Sequence, residues 1–155
     1  MEVKNTKSFV GQEGHGFNAD LYLGRVKLAF VIDDASGGPV DFQWYGKTRE
    51  EQDANKEKAL AYVKALPPIP LPANAEEWER SLYPGGFRTQ DLEWLVSDLV
   101  DDALHAKRLA RLKQQSVLFR LPGQPEGEFI KVKHGGDPDG MRARVATKHP
   151  DASFL

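Results

Sequence analysis

Large apolar residues recur at every second position in two neighbouring runs near the N-terminus, Phe17–Leu23 and Val26–Ile32. The residues between them, Gly24-Arg25, are typical of a type II′ turn, because glycine readily adopts the positive φ of the first turn position. The pattern predicts an antiparallel hairpin with eight apolar side chains on one face. In this register Phe17 faces Ile32, Ala19 faces Phe30, Leu21 faces Leu28 and Leu23 faces Val26. A slip of one residue would bury Asp20 and Lys27 instead, so the register is strongly specified.

Two further segments have strand character. Val40–Tyr45 places Phe42 and Trp44 on one face and polar residues on the other, which predicts a third strand after a loop over 33–39. Val3–Val10 alternates less regularly and is interpreted as an edge strand. The alternation assigns the two aromatic residues to the core rather than to a stacking platform for single-stranded bases, and it leaves Tyr45 outside.

Start and stop signals of helices follow. Thr48 to Glu51 is a capping box, in which the hydroxyl accepts a backbone N–H and the glutamate reaches back to the cap. The helix that begins there is expected to end near Leu66, before Pro67-Pro68. Asn74 to Glu77 has the same capping pattern and predicts a second, short helix.

The longest predicted helix runs from a cap at Thr89 to about Gln114. Its apolar residues recur with helical spacing and predict a stripe that packs across the inner face of the sheet. The stripe consists of Leu92, Leu95, Val96, Leu99, Ala103, Ala106 and Ala110. After the helix, Val117–Leu121 and Glu128–Lys133 predict a second hairpin.

Strands, then helices, then strands favour an α+β fold over a βαβ repeat. We expect an antiparallel sheet, built from the N-terminal meander and the C-terminal hairpin and packed by a long amphipathic helix and one or two shorter ones. Residues 1–133 are predicted to form a single domain. Residues 134–155 are predicted to form a polar, partly mobile C-terminal tail, in which Met141–Lys148 has the composition of a short helix.

Composition excludes several classes of protein. The chain has no cysteine, which excludes disulfides, cysteine-ligated metals and a cysteine nucleophile and fits a reducing cytosol. No apolar run approaches the roughly 18 residues of a membrane span, and Met1–Val10 lacks the apolar region of a signal peptide. Gly11–Gly16 is glycine-rich, but a strand rather than a helix is predicted to follow it. It is therefore interpreted as a turn and not as a dinucleotide-binding loop.

Acidic residues near one end of the predicted sheet suggest, as one hypothesis, that the protein is a metal-dependent hydrolase. Asp33 and Asp34 follow a predicted strand and His15 precedes another, and clustered carboxylates hold Mg²⁺ or Mn²⁺ in phosphodiesterases. Asp20 and Asp41, however, are predicted to lie mid-strand on the outward face. The histidines also lack metal-ligand spacing. Turn formation and solvent exposure explain these aspartates more simply, so we assign no metal ligand, no catalytic residue and no cofactor.

Charge is distributed unevenly along the chain. The 21 basic and 23 acidic residues give a net charge of −2, but residues 103–155 contain ten basic and five acidic residues, which leaves −7 for the rest. Bases at the end of the long helix complement the helix dipole, so stability explains part of this order. The functional interpretation is a basic surface for a partner. Its candidate residues are Lys107, Arg108, Arg111, Lys113, Arg120, Lys131 and Lys133.

Three stretches carry a resemblance to known proteins. They are Gly16–Gly24 with the Gly-Gly loop over 33–38, the leucine-rich Leu95–Leu104, and Ser116–Leu121 with Gly127–Lys133. In these stretches the chain resembles small proteins carried by bacteriophages and integrated mobile elements, a group with no assigned activity. The resemblance implies a phage or prophage accessory gene and a bacterial host cytoplasm, and it implies no catalytic residue.

The favoured function is that of a non-enzymatic accessory protein that binds and modulates a host or anti-phage defence protein through its basic residues, with inhibition as the favoured form of modulation. The alternative is nucleic-acid binding by the same basic third, which would give an affinity that falls steeply with salt. Neither function requires a membrane. The sequence does not specify the oligomeric state.

Overall fold

A four-stranded antiparallel sheet is formed by the N-terminal part of the chain, of which the computed structural model describes residues 1–125 and 127–155. Its strands are β1 (Glu2–Val10), β2 (His15–Leu23), β3 (Val26–Asp33) and β4 (Asp41–Trp44). Their spatial order is the order of the sequence. The predicted hairpin and third strand are confirmed, and β1 is the edge strand that the sequence indicated.

The hairpin of β2 and β3 keeps the predicted register only beside its turn. Leu23 faces Val26 across that turn, and the turn glycine has φ +60°. Further along, the register shifts by one residue, so Leu21 pairs with Ala29 instead of Leu28. Leu28 is thus the extra residue of a β-bulge, and it is completely buried.

The bulge exchanges the faces of the β3 residues that follow it. Ala29 and Val31 are completely buried in the core, whereas Phe30 and Ile32 pair with residues of the outward face and are half-buried. The predicted inward orientation of Phe30 and Ile32 is therefore wrong. Val26, which was also expected inside, is 51% exposed.

Edge strand β1 contains a bulge of its own. Lys4 pairs with Asp20 and Lys7 with Asn18, so two residues of β1 oppose a single residue of β2. Within that bulge, Asn5 has φ +53°, a left-handed conformation that asparagine tolerates better than most residues. The bulge divides the ladder into two short runs.

Two helices pack on the inner face of this sheet, α1 (Arg49–Lys64) and α3 (Leu92–Lys113). Burying a large aliphatic side chain of this core stabilises the fold by about 1.5–3 kcal/mol. The buried cluster consists of Phe17, Ala19, Leu21, Leu28, Ala29, Val31, Ala59, Val63, Leu92, Val96 and Val100. Phe42 and Trp44 pack against it, as predicted. The predicted stripe of α3 is correct in its first half, but Ala106 and Ala110 are exposed.

The helix caps are partly those that the sequence indicated. The Oγ1 atom of Thr48 accepts the backbone N–H of Glu51 at 3.3 Å, so the cap of α1 is confirmed. The predicted cap at Thr89 is wrong, because the carboxylate of Asp91 accepts the N–H of Glu93 at 2.8 Å. The short helix α2 (Glu77–Leu82) is capped by Glu76 and not, as predicted, by Asn74.

Two smaller sheets complete the fold. β5 (Ile69–Pro70) pairs with β6 (Phe87–Arg88), on either side of α2 in the sequence. The other sheet has the order β8-β7-β9 and consists of β7 (Ser116–Arg120), β8 (Ile130–Lys133) and β9 (Ser153–Phe154). The predicted C-terminal hairpin and the α+β class are confirmed, but the hairpin belongs to a sheet of its own and does not extend the N-terminal sheet. Helix α4 (Pro138–Lys148) contacts β7.

Contacts along the chain group its residues into two compact units, Met1–Leu104 and His105–Leu155, which we call the first and second unit. The sequence-based division into a domain over 1–133 and a tail over 134–155 stays a prediction. The residues of that tail include α4 and β9, which pairs with β7. In the described part of the chain, no helix has the length and apolar character needed to cross a bilayer.

Candidate functional site

Basic side chains gather in the second unit where the end of α3 meets β8. Arg108, Arg111 and Leu112 share one face of α3, because positions three and four apart lie side by side on a helix. Lys131 and Lys133 share one face of β8, because side chains alternate along a strand. These four cations come from two segments that lie about 20 residues apart in the sequence and that the fold brings together.

Two adjoining cavities join these side chains into one groove. The first cavity has a volume of about 390 Å³ and is lined by Arg111, Leu112, Gln115, Ser116, Lys131 and Lys133. The second has a volume of about 400 Å³ and is lined by Arg108, Leu112, Gly127, Glu128, Phe129 and Lys131. Leu112 and Lys131 line both cavities. We call Arg108, Arg111, Lys131 and Lys133 the basic groove.

The walls of the basic groove combine charge with apolar surface. Leu112 and Phe129 are half-buried, whereas all four cations are exposed. Ser116 pairs with Lys133 and is 8% exposed, so it lies at the base of the groove. Exposed guanidinium and ammonium groups above a partly apolar floor can hold a carboxylate or phosphate while the floor contacts its apolar neighbours.

The cations of the basic groove form no salt bridge with the residues that the structure describes. Within 1–125 and 127–155, no carboxylate oxygen lies within 4.0 Å of a charged nitrogen of these four residues. Glu128 lines the same groove, and it too forms no salt bridge with the described residues. Among the described residues, the positive charge of the groove is therefore not neutralised by a salt bridge.

The remaining predicted site residues lie outside the two cavities. Lys107 and Lys113 are exposed on α3. Arg120 is half-buried at the end of β7, and its Nε atom is buried without a hydrogen-bond partner among the described residues. Of the seven candidate residues, the structure thus brings four together around Leu112 and leaves three beside them.

The boundary between the two units coincides with the change in charge along the chain. The first unit has eleven basic and eighteen acidic residues, a net charge of −7, and the second has ten basic and five acidic residues, a net charge of +5. The basic groove thus belongs to a unit of positive net charge, which strengthens its attraction for anions at distances within the Debye length of about 8 Å at physiological salt.

The aspartates that suggested a metal site have structural partners. The Oδ1 atom of Asp33 accepts the N–H of Ala35 at 2.9 Å, and Oδ1 of Asp34 accepts the N–H of Ser36 at 3.0 Å and its hydroxyl at 2.6 Å. The hydrogen bonds from Ser36 lower the pKa of Asp34. Among the residues described, no group of three or more potential ligands is placed to hold a metal ion.

The glycine-rich segment is a turn between β1 and β2 and has a packing role. Gly11 and Gly16 lie against the loop that follows β3. A Cβ atom on Gly16 would overlap the carbonyl oxygen of Asp33, and one on Gly11 would overlap Ala35. Close backbone approach therefore accounts for these two glycines without a bound phosphate.

Sequence reasoning missed the uncharged part of the groove. Leu112 lies four residues after Arg108, a spacing that would have placed it beside the basic residues on the same helix face. Phe129 precedes β8 by one residue and had no comparable signal.

Comparison of the chain with protein-family models, curated proteins and solved structures finds no match.

Proposed function

We propose that the protein is a non-enzymatic binding protein that holds an acidic surface of another protein in its basic groove and thereby inhibits that protein. The observation that carries the proposal is the convergence of Arg108, Arg111, Lys131 and Lys133 around Leu112 with no salt bridge among the described residues. Uncompensated cations repel one another. A fold that keeps them together retains an electrostatic cost that an anionic partner relieves.

The chemistry of the groove favours a protein partner. Two arginines offer planar forks that match carboxylates, and Leu112 with Phe129 offers apolar contact between the charges. Arginine and aromatic residues are enriched where proteins bind proteins.

The identity of the partner follows from the resemblance alone. Small proteins of bacteriophages and mobile elements act inside a bacterial host, so the partner would be a host or anti-phage defence protein. Inhibition is the simplest outcome, because a protein seated on an acidic surface blocks other ligands of that surface.

The test is charge reversal in the groove. The double variant Arg108→Glu/Arg111→Glu is expected to weaken binding of the partner by at least about tenfold, since it replaces two attractions with two repulsions. The partner is first captured from host lysate on the immobilised wild-type chain, and its dissociation constant is then measured with purified proteins. A matched control is Lys56→Glu/Lys64→Glu on α1, which makes the same change of charge at exposed positions of the first unit.

The control is expected to bind within about twofold of the wild type. Unchanged binding by the groove variant would refute the proposal, as would equal weakening by the control. Anisotropy titrations with labelled single-stranded and double-stranded DNA and with RNA test the alternative. Binding that falls steeply with salt and is lost in the groove variant would replace the protein partner with a nucleic acid.

A further inference from the structure

A third cavity of the second unit lies between α4 and the sheet face that carries Phe119 and Val132. Its volume is about 530 Å³, within the range of about 300–1,000 Å³ that is usual for small-molecule sites. The cavity is lined by Phe119, Val132, Met141, Arg144, Val145, Thr147, Lys148 and His149. It shares no lining residue with the basic groove.

The floor of this cavity is apolar and firmly held. Phe119 and Val145 are buried to 2% and 6% exposure, and Val132 and Met141 are half-buried. The ring of His149 stacks on Phe119 with a centroid distance of 5.9 Å. An apolar ligand body would therefore meet aliphatic and aromatic carbon on several sides.

The mouth of the cavity is cationic. Arg144 and Lys148 are exposed and have no salt bridge in the described part of the chain, and no acidic residue lines the cavity. Arg142, by contrast, lies on the same helix outside the cavity and is paired with Asp139 at 3.7 Å. The two rim cations are thus available to a ligand, whereas their neighbour already has a partner.

The spacing along α4 makes this arrangement unusual for a packed helix. Met141, Arg144, Val145 and Lys148 follow the i, i+3, i+4, i+7 pattern of a single helix face. A face that packs on a sheet is normally apolar throughout, but two of these four residues are cations. The pattern suits a site in which the apolar pair contacts the body of a ligand and the cations neutralise its charged end.

We propose that this cavity binds a small amphipathic monocarboxylate, with its alkyl or aryl body on Phe119 and Val145 and its carboxylate between Arg144 and Lys148. A carboxylate matches the planar fork of the Arg144 guanidinium. A ligand with a single negative charge at one end of an apolar body matches a cavity whose two rim cations, Arg144 and Lys148, both lie on α4. The inference is independent of the protein-binding function assigned to the basic groove.

The probes are octanoate and octanamide, which have closely similar size and shape and differ in charge. Each is titrated into the full chain at neutral pH while amide NMR spectra are recorded. Octanoate is expected to shift resonances of β7, β8 and α4 with a dissociation constant of about 1 mM or below. Octanamide is expected to bind at least about fivefold more weakly, because it lacks the charge that the rim recognises.

A second experiment replaces the two cations at the mouth of the cavity. Arg144→Gln/Lys148→Gln is expected to weaken octanoate binding at least about fivefold and to leave octanamide unaffected. Arg142→Gln is the matched control and should bind octanoate like the wild type. The groove variant Arg108→Glu/Arg111→Glu should also bind octanoate normally, so the two proposals fail separately.

Three outcomes would overturn the inference. They are an absence of shifts at millimolar octanoate, shifts located outside the cavity, and equal affinity for octanoate and octanamide. The comparison of the two probes on the wild-type chain decides the matter even if a rim variant fails to fold.

Discussion

Lys4, Lys27 and Arg49 of the first unit are paired with carboxylates, whereas the cations of the basic groove form no salt bridge with the described residues. In the first unit, the Lys27 ammonium lies 2.7 Å from Asp20, Lys4 lies 3.0 Å from Glu2, and the guanidinium of Arg49 lies 3.3 Å from Asp53. In the second unit, Arg142 forms a salt bridge with Asp139, and the groove takes no part in it. These three charges of the first unit are used within the fold, whereas those of the basic groove are exposed at the surface.

The Asp20–Lys27 pair shows what structural use of a charge requires. Their side chains are 12% and 23% exposed, and the Nδ2 atom of Asn5 donates to Asp20 at 2.7 Å. The ammonium also lies over the ring of Tyr45, 4.5 Å from its centroid. Every polar atom gained a partner as it left water, which is the condition for a buried pair to hold together.

The pKa values of this pair reflect the same environment. Burial raises the pKa of Asp20, but the hydrogen bonds from Lys27 and Asn5 and the charge of Lys27 outweigh it, so the pKa lies below its ordinary value. The hydrogen bond to the Asp20 carboxylate raises the pKa of Lys27 above its ordinary value. Both charged forms are therefore favoured in the folded state.

Removal of the lysine from this pair should have the largest effect. Lys27→Met is expected to lower the free energy of unfolding by about 2 kcal/mol, because it leaves the nearly buried Asp20 carboxylate with Asn5 as its hydrogen-bond donor. Urea unfolding at neutral pH measures the change. Lys131→Met is the matched control, since it removes a strand lysine of the groove, and it should change the free energy by less than about 0.5 kcal/mol. Equal losses in the two variants would erase the distinction between the units.

A smaller effect is expected from acid. Because the folded-state pKa of Asp20 lies below its unfolded value of about 3.9, its contribution is complete above that value and is lost as pH falls through the folded-state pKa. Asp20→Asn should therefore be less stable than the wild type by about 1 kcal/mol near pH 6, and by much less near pH 2. Urea unfolding at both pH values tests this. A gap that stays constant would show that the charge of Asp20 is not what stabilises the sheet.

The smallest effect is expected in the groove itself. Arg111→Glu should change the free energy of unfolding by no more than about 0.5 kcal/mol, because the side chain is exposed and has no salt bridge among the described residues to lose. Attraction of the new carboxylate to Lys131 and Lys133 is opposed by its unfavourable interaction with the dipole in the last turn of α3, so the two effects should largely cancel. Thermal unfolding at low salt gives the sign most clearly. A loss above 1 kcal/mol, on the scale of a structural contact, would mean that the groove supports the fold.

Local signals located the elements better than the faces of the strands. The turn glycine and the Thr48 cap predicted the correct positions because each acts through its own neighbours. The prediction of which β3 side chains face the core was wrong. The five consecutive residues Leu28–Ile32 are all apolar, so either set of alternate side chains could face the core. Packing against Phe42 and Trp44 of β4 and against the helices decides that face, and no local pattern contains this information.

The candidate site was predictable in its charge and not in its shape. Counting charges selected all four cations of the basic groove. Charge alone did not separate them from Lys113, which is equally basic and close in sequence but lies outside both cavities. The cavity beside α4 was missed, although the spacing of Met141, Arg144, Val145 and Lys148 was readable, because charged residues within a short helix are usually interpreted as a solvated face.

The bulge in β1 has a consequence for behaviour at high concentration. A straight, nine-residue edge strand would offer its free backbone groups to other chains and could seed fibrils. The left-handed Asn5 interrupts this edge, leaving paired runs of three residues before it and four after it. Both are shorter than the roughly six-residue segments that stack into amyloid, and each contains a lysine, so the open margin of the sheet is protected against self-assembly.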